Sequence, residues 1–213
     1  TGAQGKTTTA HALAHILPGA GVLHTSAGTW EYPGRDLLFK KSITPSSVLA
    51  AVPPANRVGG WLVAETSLGV TGAGNLAIIT SPGDYGFANG KKSAIREKIA
   101  SAGPAENLLV ADGVPCDRED VIRAGDIARC TGTECTAEWE GRRSVFTSPL
   151  FLLPPYRTPL LLAAAAAMIL HHDPAPLGTF TALPGRMSVS RTGALLIVDN
   201  ANSGTNADTT ICA

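Results

Sequence analysis

The residues Thr1 to Thr9, TGAQGKTTT, hold the densest chemistry in this sequence. They carry GxxGKT leading straight into a helical pattern, the working end of a phosphate-binding loop. Consecutive backbone N–H groups, a helix N-terminus and one lysine make an anion cradle suited to the β- and γ-phosphates of a nucleotide. Lys6 is expected on the phosphates and the Thr7 hydroxyl on Mg²⁺, with Gly2, Ala3, Gln4, Gly5 and Thr8 completing the cradle. Gly2 and Gly5 let the backbone close in without a Cβ in the way. ATP is the expected ligand, ahead of GTP. A bland Gly-rich turn before a helix is the competing reading, and the GKT context argues against it. The full pattern asks for one more glycine upstream of Thr1, and such a loop ordinarily follows a buried strand, so the sequence reads as part of a longer polypeptide.

Other residues stand where they could join that chemistry. Glu65 closes the strand-like WLVAE, where a carboxylate can hold Mg²⁺ across from the loop. Asp84 follows Pro82-Gly83, a turn that can aim its carboxylate into the same crevice; a plain turn Asp is the alternative. Lys98, in IREK, reads by itself as a surface lysine. His24, at the carboxyl end of a strand in HTSAGT, is the candidate catalytic histidine, placed where a substrate would meet the nucleotide. His11 and His15 lie four apart on one helix but lack a third ligand, and the adjacent His171 and His172 cannot share a helix face. Trp30, Tyr32 and Trp61 offer flat faces, although packing is the ordinary use of aromatics.

These groups need a scaffold. The 213 residues are 44% hydrophobic, enough for a core, and the length allows one large domain or somewhat more. Lys+Arg and Asp+Glu balance at 17 each, which points to neither nucleic acid nor an anionic membrane. The four cysteines, Cys116, Cys130, Cys135 and Cys212, form no CxxC pair and are too few for a disulfide scaffold, so a reducing cytoplasm is expected. The apolar run 160–170 is too short to span a bilayer and reads as a buried Ala-rich helix. Short apolar runs alternate with helical patterns, which argues for an α/β doubly wound domain with a mostly parallel sheet. Helices are expected over 6–17, with Ala10, Leu13, Ala14 and Leu17 on one face, and over 88–102 and 158–171; strands over 21–25, 61–66, 76–80, 107–112 and 195–199. Several strands end in a polar residue, at the end of an open α/β sheet where ligands bind. The Pro/Gly-rich stretch 174–185 reads as a domain hinge.

Taken in order, TGAQGKTTT, SITP (42–45), VAETSLG (63–69), IITSPGDY (78–85), IREK (95–98), the Ala-rich helix after PYRTP (155–159), PGRM (184–187) and LIVDNANSG (196–204) resemble the Mur ligase superfamily. These ATP-dependent enzymes join a carboxylate to an amine through an acyl phosphate. The resemblance implies a central ATP-binding domain over 1–183, then a hinge and the beginning of a Rossmann-like C-terminal domain over 184–213. It makes Lys6 and Thr7 the phosphate and Mg²⁺ residues, Glu65 a Mg²⁺ ligand, and places Asp84 near a second metal. Lys98 matches a lysine that is carbamoylated in many of these ligases, and Arg186 and Asp199 match nucleotide contacts. The sequence departs from the family at Tyr85, at Tyr156-Arg157, where a His-Asn pair is usual, and at Asn202. With HTSAGTWE (24–31), GDYGFANGKK (83–92) and DNANSGTN (199–206), these departures resemble one archaeal branch of methanogens. That likeness implies a carboxylate on a nickel-containing reduced tetrapyrrole as substrate, in place of an amino-acid acceptor. A Mur-type amino-acid ligase and a regulatory P-loop ATPase are the alternatives; the PGRM…LIVD segment argues against the second.

Overall fold

The computed structural model describes residues 5–67, 69–71, 74–186, 188–193 and 195–199. The loop residues Gly2, Ala3 and Gln4, together with Asn202 and Cys212, lie outside the described residues. Helix α1 (Lys6–Ile16) opens the fold and stops where Leu17, ahead of Pro18, turns extended. Strands β1 (Gly21–Thr25), β2 (Gly28–Tyr32) and β3 (Asp36–Phe39) form an antiparallel meander. After the short helices α2 (Pro45–Val48) and α3 (Val52–Val58), β4 (Trp61–Ala64) pairs parallel to β1, giving the order β3-β2-β1-β4.

The chain continues through β5 (Leu76–Ile79), the two-residue strands β6 (Gly86–Phe87) and β7 (Lys92–Ser93), α4 (Ala94–Ser101), β8 (Asn107–Val110) and β9 (Val121–Arg123). Strands β5, β8 and β9 are mutually parallel. Helix α5 (Ala124–Ile127) leads into an antiparallel meander of β10 (Ala128–Thr131), β11 (Glu134–Trp139) and β12 (Arg142–Thr147). Helix α6 (Pro154–Ile169) follows, and β13 (Ser188–Thr192) and β14 (Leu195–Asp199) pair as a hairpin. The parallel strands of the expected α/β class are present, extended by antiparallel pieces that the sequence reading did not place. No helix of the described residues is long and apolar enough to cross a membrane.

Strand β1 is buried along its whole length because both faces are covered. By the two-residue period, Val22 packs with Ala51 and Ala55 on one side, and Leu23 with Ala10 and Ala14 of α1 on the other. Helix α1 therefore buries two faces, not the single one expected: Ala10 and Ala14 meet the sheet, while Ala12, Leu13 and Ile16 join the main core with α6. Ala163 to Ala167 of α6 are fully buried, so along this stretch the helix packs on its neighbours through methyl groups. Leu108, Leu109, Leu160 and Leu162 around it are also sealed from solvent, each stabilising the fold by about 2 kcal/mol.

Several element ends fall one or two residues short of the expectation, and three boundaries bear on the site. The helix expected over 88–102 begins at Ala94, since Ala88, Asn89 and Gly90 all take positive φ and turn the β6–β7 hairpin. The helix expected over 158–171 begins at Pro154, because prolines suit a first turn that needs no N–H donor. Strand β4 stops at Ala64, which leaves Glu65 just beyond its carboxyl end.

Candidate functional site

Gly5 supplies the turn into α1 with φ 83°, and a Cβ there would stand 2.9 Å from Cγ of Pro159 in α6. Glycine is required twice over, for conformation and for space. No side chain caps α1 at this end. Thr7, in the first turn, donates its hydroxyl to Oε2 of Glu65 at 2.7 Å. Glu65 is held in place: its N–H bonds the His24 carbonyl at 2.8 Å, and the Ser26 N–H donates to its Oε2 at 3.1 Å. The Ser26 hydroxyl lies 3.4 Å from that of Thr7. From the other side, Nη2 of Arg186 donates to Thr7 Oγ1 at 3.1 Å. Residues from α1, from the ends of β1 and β4, and from a turn some 180 positions away in sequence thus meet at one hydroxyl.

The electrostatics suit an anion. Burial lowers the Lys6 ammonium below the ordinary lysine range; Glu65 opposes that shift, while Lys98 and Arg186 add to it. Three cations therefore feel one another around a single buried carboxylate, a field that an incoming phosphate relieves. The Thr7 hydroxyl and Glu65 carboxylate are hard oxygen donors, fit for a divalent cation such as Mg²⁺. Among the described residues no three His, Cys, Asp or Glu side chains converge, so such a cation would complete its shell from phosphates and water.

The other expected site residues fare differently. Lys98 does reach the rim shared with Lys6 and Glu65, with Nζ 5.7 Å from the centre of the Tyr85 ring. Asp84 does not join the Glu65 cluster. Its carboxylate accepts from the Tyr85 N–H, the Ser93 hydroxyl and the Ile95 N–H, tying the β6–β7 hairpin to the start of α4, and the Ile95 bond is the largest cause of its lowered pKa. His24 is a correction: it is 0% exposed, with Nδ1 bound to Thr29 Oγ1 at 2.7 Å and Nε2 to the Ser42 carbonyl at 3.1 Å. It pins the β1–β2 hairpin to the 42–45 loop and has no ring nitrogen left for catalysis. Asp199 accepts the Gly185 N–H at 2.8 Å and so braces the turn that carries Arg186. His11 and His15 diverge, one against the Trp30 ring and the other bonding Pro176 and Thr179. Trp61 packs on Tyr32 and bonds the Pro18 carbonyl.

Sequence reasoning missed Ser26, whose only signal was a small polar residue just beyond a strand next to the one ending at Glu65. It also missed Tyr156 as an anchor. That phenol is 1% exposed, burial raises its pKa, and its hydroxyl bonds Leu183 and Arg186.

A cavity of about 830 Å³ lies between β4 and β5. Its long walls are strand edges: among the described residues β4 pairs with β1 and β5 with β8, each on one side only. Lys6, Glu65 and Lys98 are among its lining residues.

His11 gives a pH signature. Burial, with Arg186 adding and Glu65 opposing, lowers its pKa from 6.5 to about 4. A histidine depressed on folding binds more protons in the unfolded chain between those values, so stability should fall as pH drops from 6.5 toward 4 and stay flat above. NMR titration should find the His11 ring neutral at pH 5, and denaturant unfolding of His11→Gln should show a shallower acid limb. A ring titrating near 6.5 would contradict the burial.

No protein-family model matches the chain. Among curated proteins it is similar to the coenzyme F430 synthetase of Methanosarcina acetivorans, 31% identical over 256 aligned positions that cover 96% of this chain and 53% of that protein. Among solved structures it is similar to MurF from Acinetobacter baumannii, with TM-score 0.68 and 15% identity, covering 98% of this chain and 51% of that one. It is also similar to a pseudomurein peptide ligase type C from Methanothermus fervidus, with TM-score 0.57 and 16% identity, covering 87% of this chain and 49% of that one. The chain spans about half the length of each. It has the Mur ligase fold, and the resemblance carried by its motifs holds in sequence and in structure.

Proposed function

We propose that this chain, a Mur ligase fold similar in sequence to a coenzyme F430 synthetase, is the ATP-handling core of a ligase that activates a carboxylate as an acyl phosphate. The observation that carries the reading is the meeting of Glu65, Ser26 and Arg186 on the Thr7 hydroxyl, beside Lys6 and the glycine turn into α1. In this reading residues 1–183 form the nucleotide domain, and 184–213 the hinge and the opening of a second domain. Lys6 and the first turn of α1 hold the phosphates, and Arg186 approaches them from the hinge. Thr7 and Glu65 hold Mg²⁺, which when bound neutralises the charge of the transferring phosphoryl group. Lys98, on the same rim, takes the place of the lysine that the resemblance marks for carbamoylation, and Asp199 acts by bracing the Arg186 turn.

The substrate in this reading is a propionate side chain of a nickel-containing reduced seco-tetrapyrrole. A carboxylate oxygen attacks the γ-phosphorus, ADP departs, and the acyl phosphate forms. A neighbouring ring carbon then gives up a proton and bonds to the acyl carbon as phosphate leaves, closing a carbocycle. The likeness to the coenzyme F430 synthetase supports this choice over an amine acceptor. The intact protein should therefore release ADP with the nickel tetrapyrrole acid and no added amine, giving a product lighter than the acid by one water. Amino acids should leave the rate unchanged. An amino acid found joined to the acid by mass spectrometry, or required for turnover, would replace this reading with that of an amino-acid ligase.

A further inference from the structure

The turn 183–186 carries Arg186 to the nucleotide site, and one hydroxyl fastens both of its ends. The Tyr156 Oη accepts the Leu183 N–H at 2.8 Å and donates to the Arg186 carbonyl at 2.5 Å. The turn closes on itself through the Arg186 N–H and the Leu183 carbonyl at 3.0 Å. The phenol that does this rises from the first turn of α6, the helix whose Pro159 lies against Gly5 of the phosphate loop. Tyr156 itself contacts neither Thr7 nor Glu65 among its hydrogen bonds. Its ring is buried, so its hydroxyl is fixed by packing before either bond is counted.

A guanidinium on a flexible stem finds a phosphate by chance unless its backbone is held. Fixing the Cα removes much of the search, and a small misplacement of a charge-stabilising group is costly. Losing the Tyr156 hydroxyl would leave the part-buried Leu183 N–H and Arg186 carbonyl without this partner, which drives the turn outward to water. We infer that Tyr156 is a positioning residue for Arg186: the buried phenol clamps the 183–186 turn to α6, so that the guanidinium and the phosphate loop are referenced to one helix. The inference rests on the nucleotide reading given above. It assigns a role to the residue at which the sequence departs from the family's usual His-Asn pair.

The test is a double-mutant cycle on the intact protein with Tyr156→Phe, Arg186→Gln and the pair, reading affinity for a fluorescent ATP analogue and acid-dependent ADP release. Each single change should weaken analogue binding about tenfold, and the pair should be no weaker than Arg186→Gln alone. Effects that multiply, or a Tyr156→Phe variant that binds like the parent, would overturn the clamp. Failure of the parent itself to bind the analogue would instead overturn the nucleotide reading, and the clamp with it. Amide exchange on the parent provides an independent reading should Tyr156→Phe fold poorly. The Leu183 amide should be protected without nucleotide and stay so on adding it, because the clamp is preformed. Fast exchange of that amide in the free protein would show that no clamp exists.

Discussion

Lys6→Ala should lower acid-dependent ADP formation at least about a thousandfold while leaving the protein folded. The expectation follows from where the ammonium sits. It begins α1 beside the glycine turn, within the field of Glu65, Lys98 and Arg186. Burial disfavours its charged form, so holding the charge there costs the fold something, and the cost is recovered when phosphate arrives. Removing the ammonium should therefore leave the thermal midpoint equal to or above that of the parent, the usual sign of a group kept for function. Calorimetry alongside the ADP assay checks both halves. A variant that melts much earlier would mean that Lys6 packs instead of binding, and an unchanged rate would end the phosphate-loop assignment.

Glu65→Gln should reduce the rate about a hundredfold or more and shift the Mg²⁺ requirement to higher concentration. The amide oxygen can still accept from the Thr7 hydroxyl and the Ser26 N–H, both of which converge on one carboxylate oxygen. The shape of the site is retained and its negative charge is lost. Lys6 loses the Glu65 charge that favours its ammonium at the same time, which disfavours the charged form further. A Mg²⁺ titration of the variant that overlays the parent would reduce Glu65 to a strand-end residue that orders Thr7.

Much of this was legible in the sequence where local chemistry and tertiary structure agree. Strands 21–25 and 195–199 were placed to the residue, and Thr7 and Glu65, far apart in sequence, do meet. The misses have specific causes. Prolines at 154, 155 and 159 read as a late helix start, whereas the first two fill the first turn and the third rests under Gly5. The meander β10–β12 carries so many charged and polar residues that its alternation was hidden, although Gly132, Glu140 and Gly141 turn it with positive φ. His24 looked reactive because strand ends often are; only the tertiary pairing with Thr29 and Ser42 shows both nitrogens occupied. Tyr156 was invisible as an anchor because its partners lie across a turn that no local pattern connects to α6.

The strand edges that face each other between β4 and β5 have a consequence in time. The Trp61 amide that opens β4 donates to the Ala20 carbonyl just before β1, and the Glu65 amide just past β4 to the His24 carbonyl, so by the alternation of a parallel ladder the Leu62 and Ala64 peptide groups point the other way. The Asn75 carbonyl just before β5 and the Ile79 carbonyl at its end accept from the Asn107 amide that opens β8 and the Ala111 amide just past it, which turns the Leu76 and Ile78 peptide groups toward the same space. Two short strands, each firmly laddered on one side, thus contain two populations of amides with different lifetimes against exchange. One population opens only with the core; the other opens whenever water or an extended backbone enters the gap. These two edge strands are thus divided residue by residue into slow and fast amides.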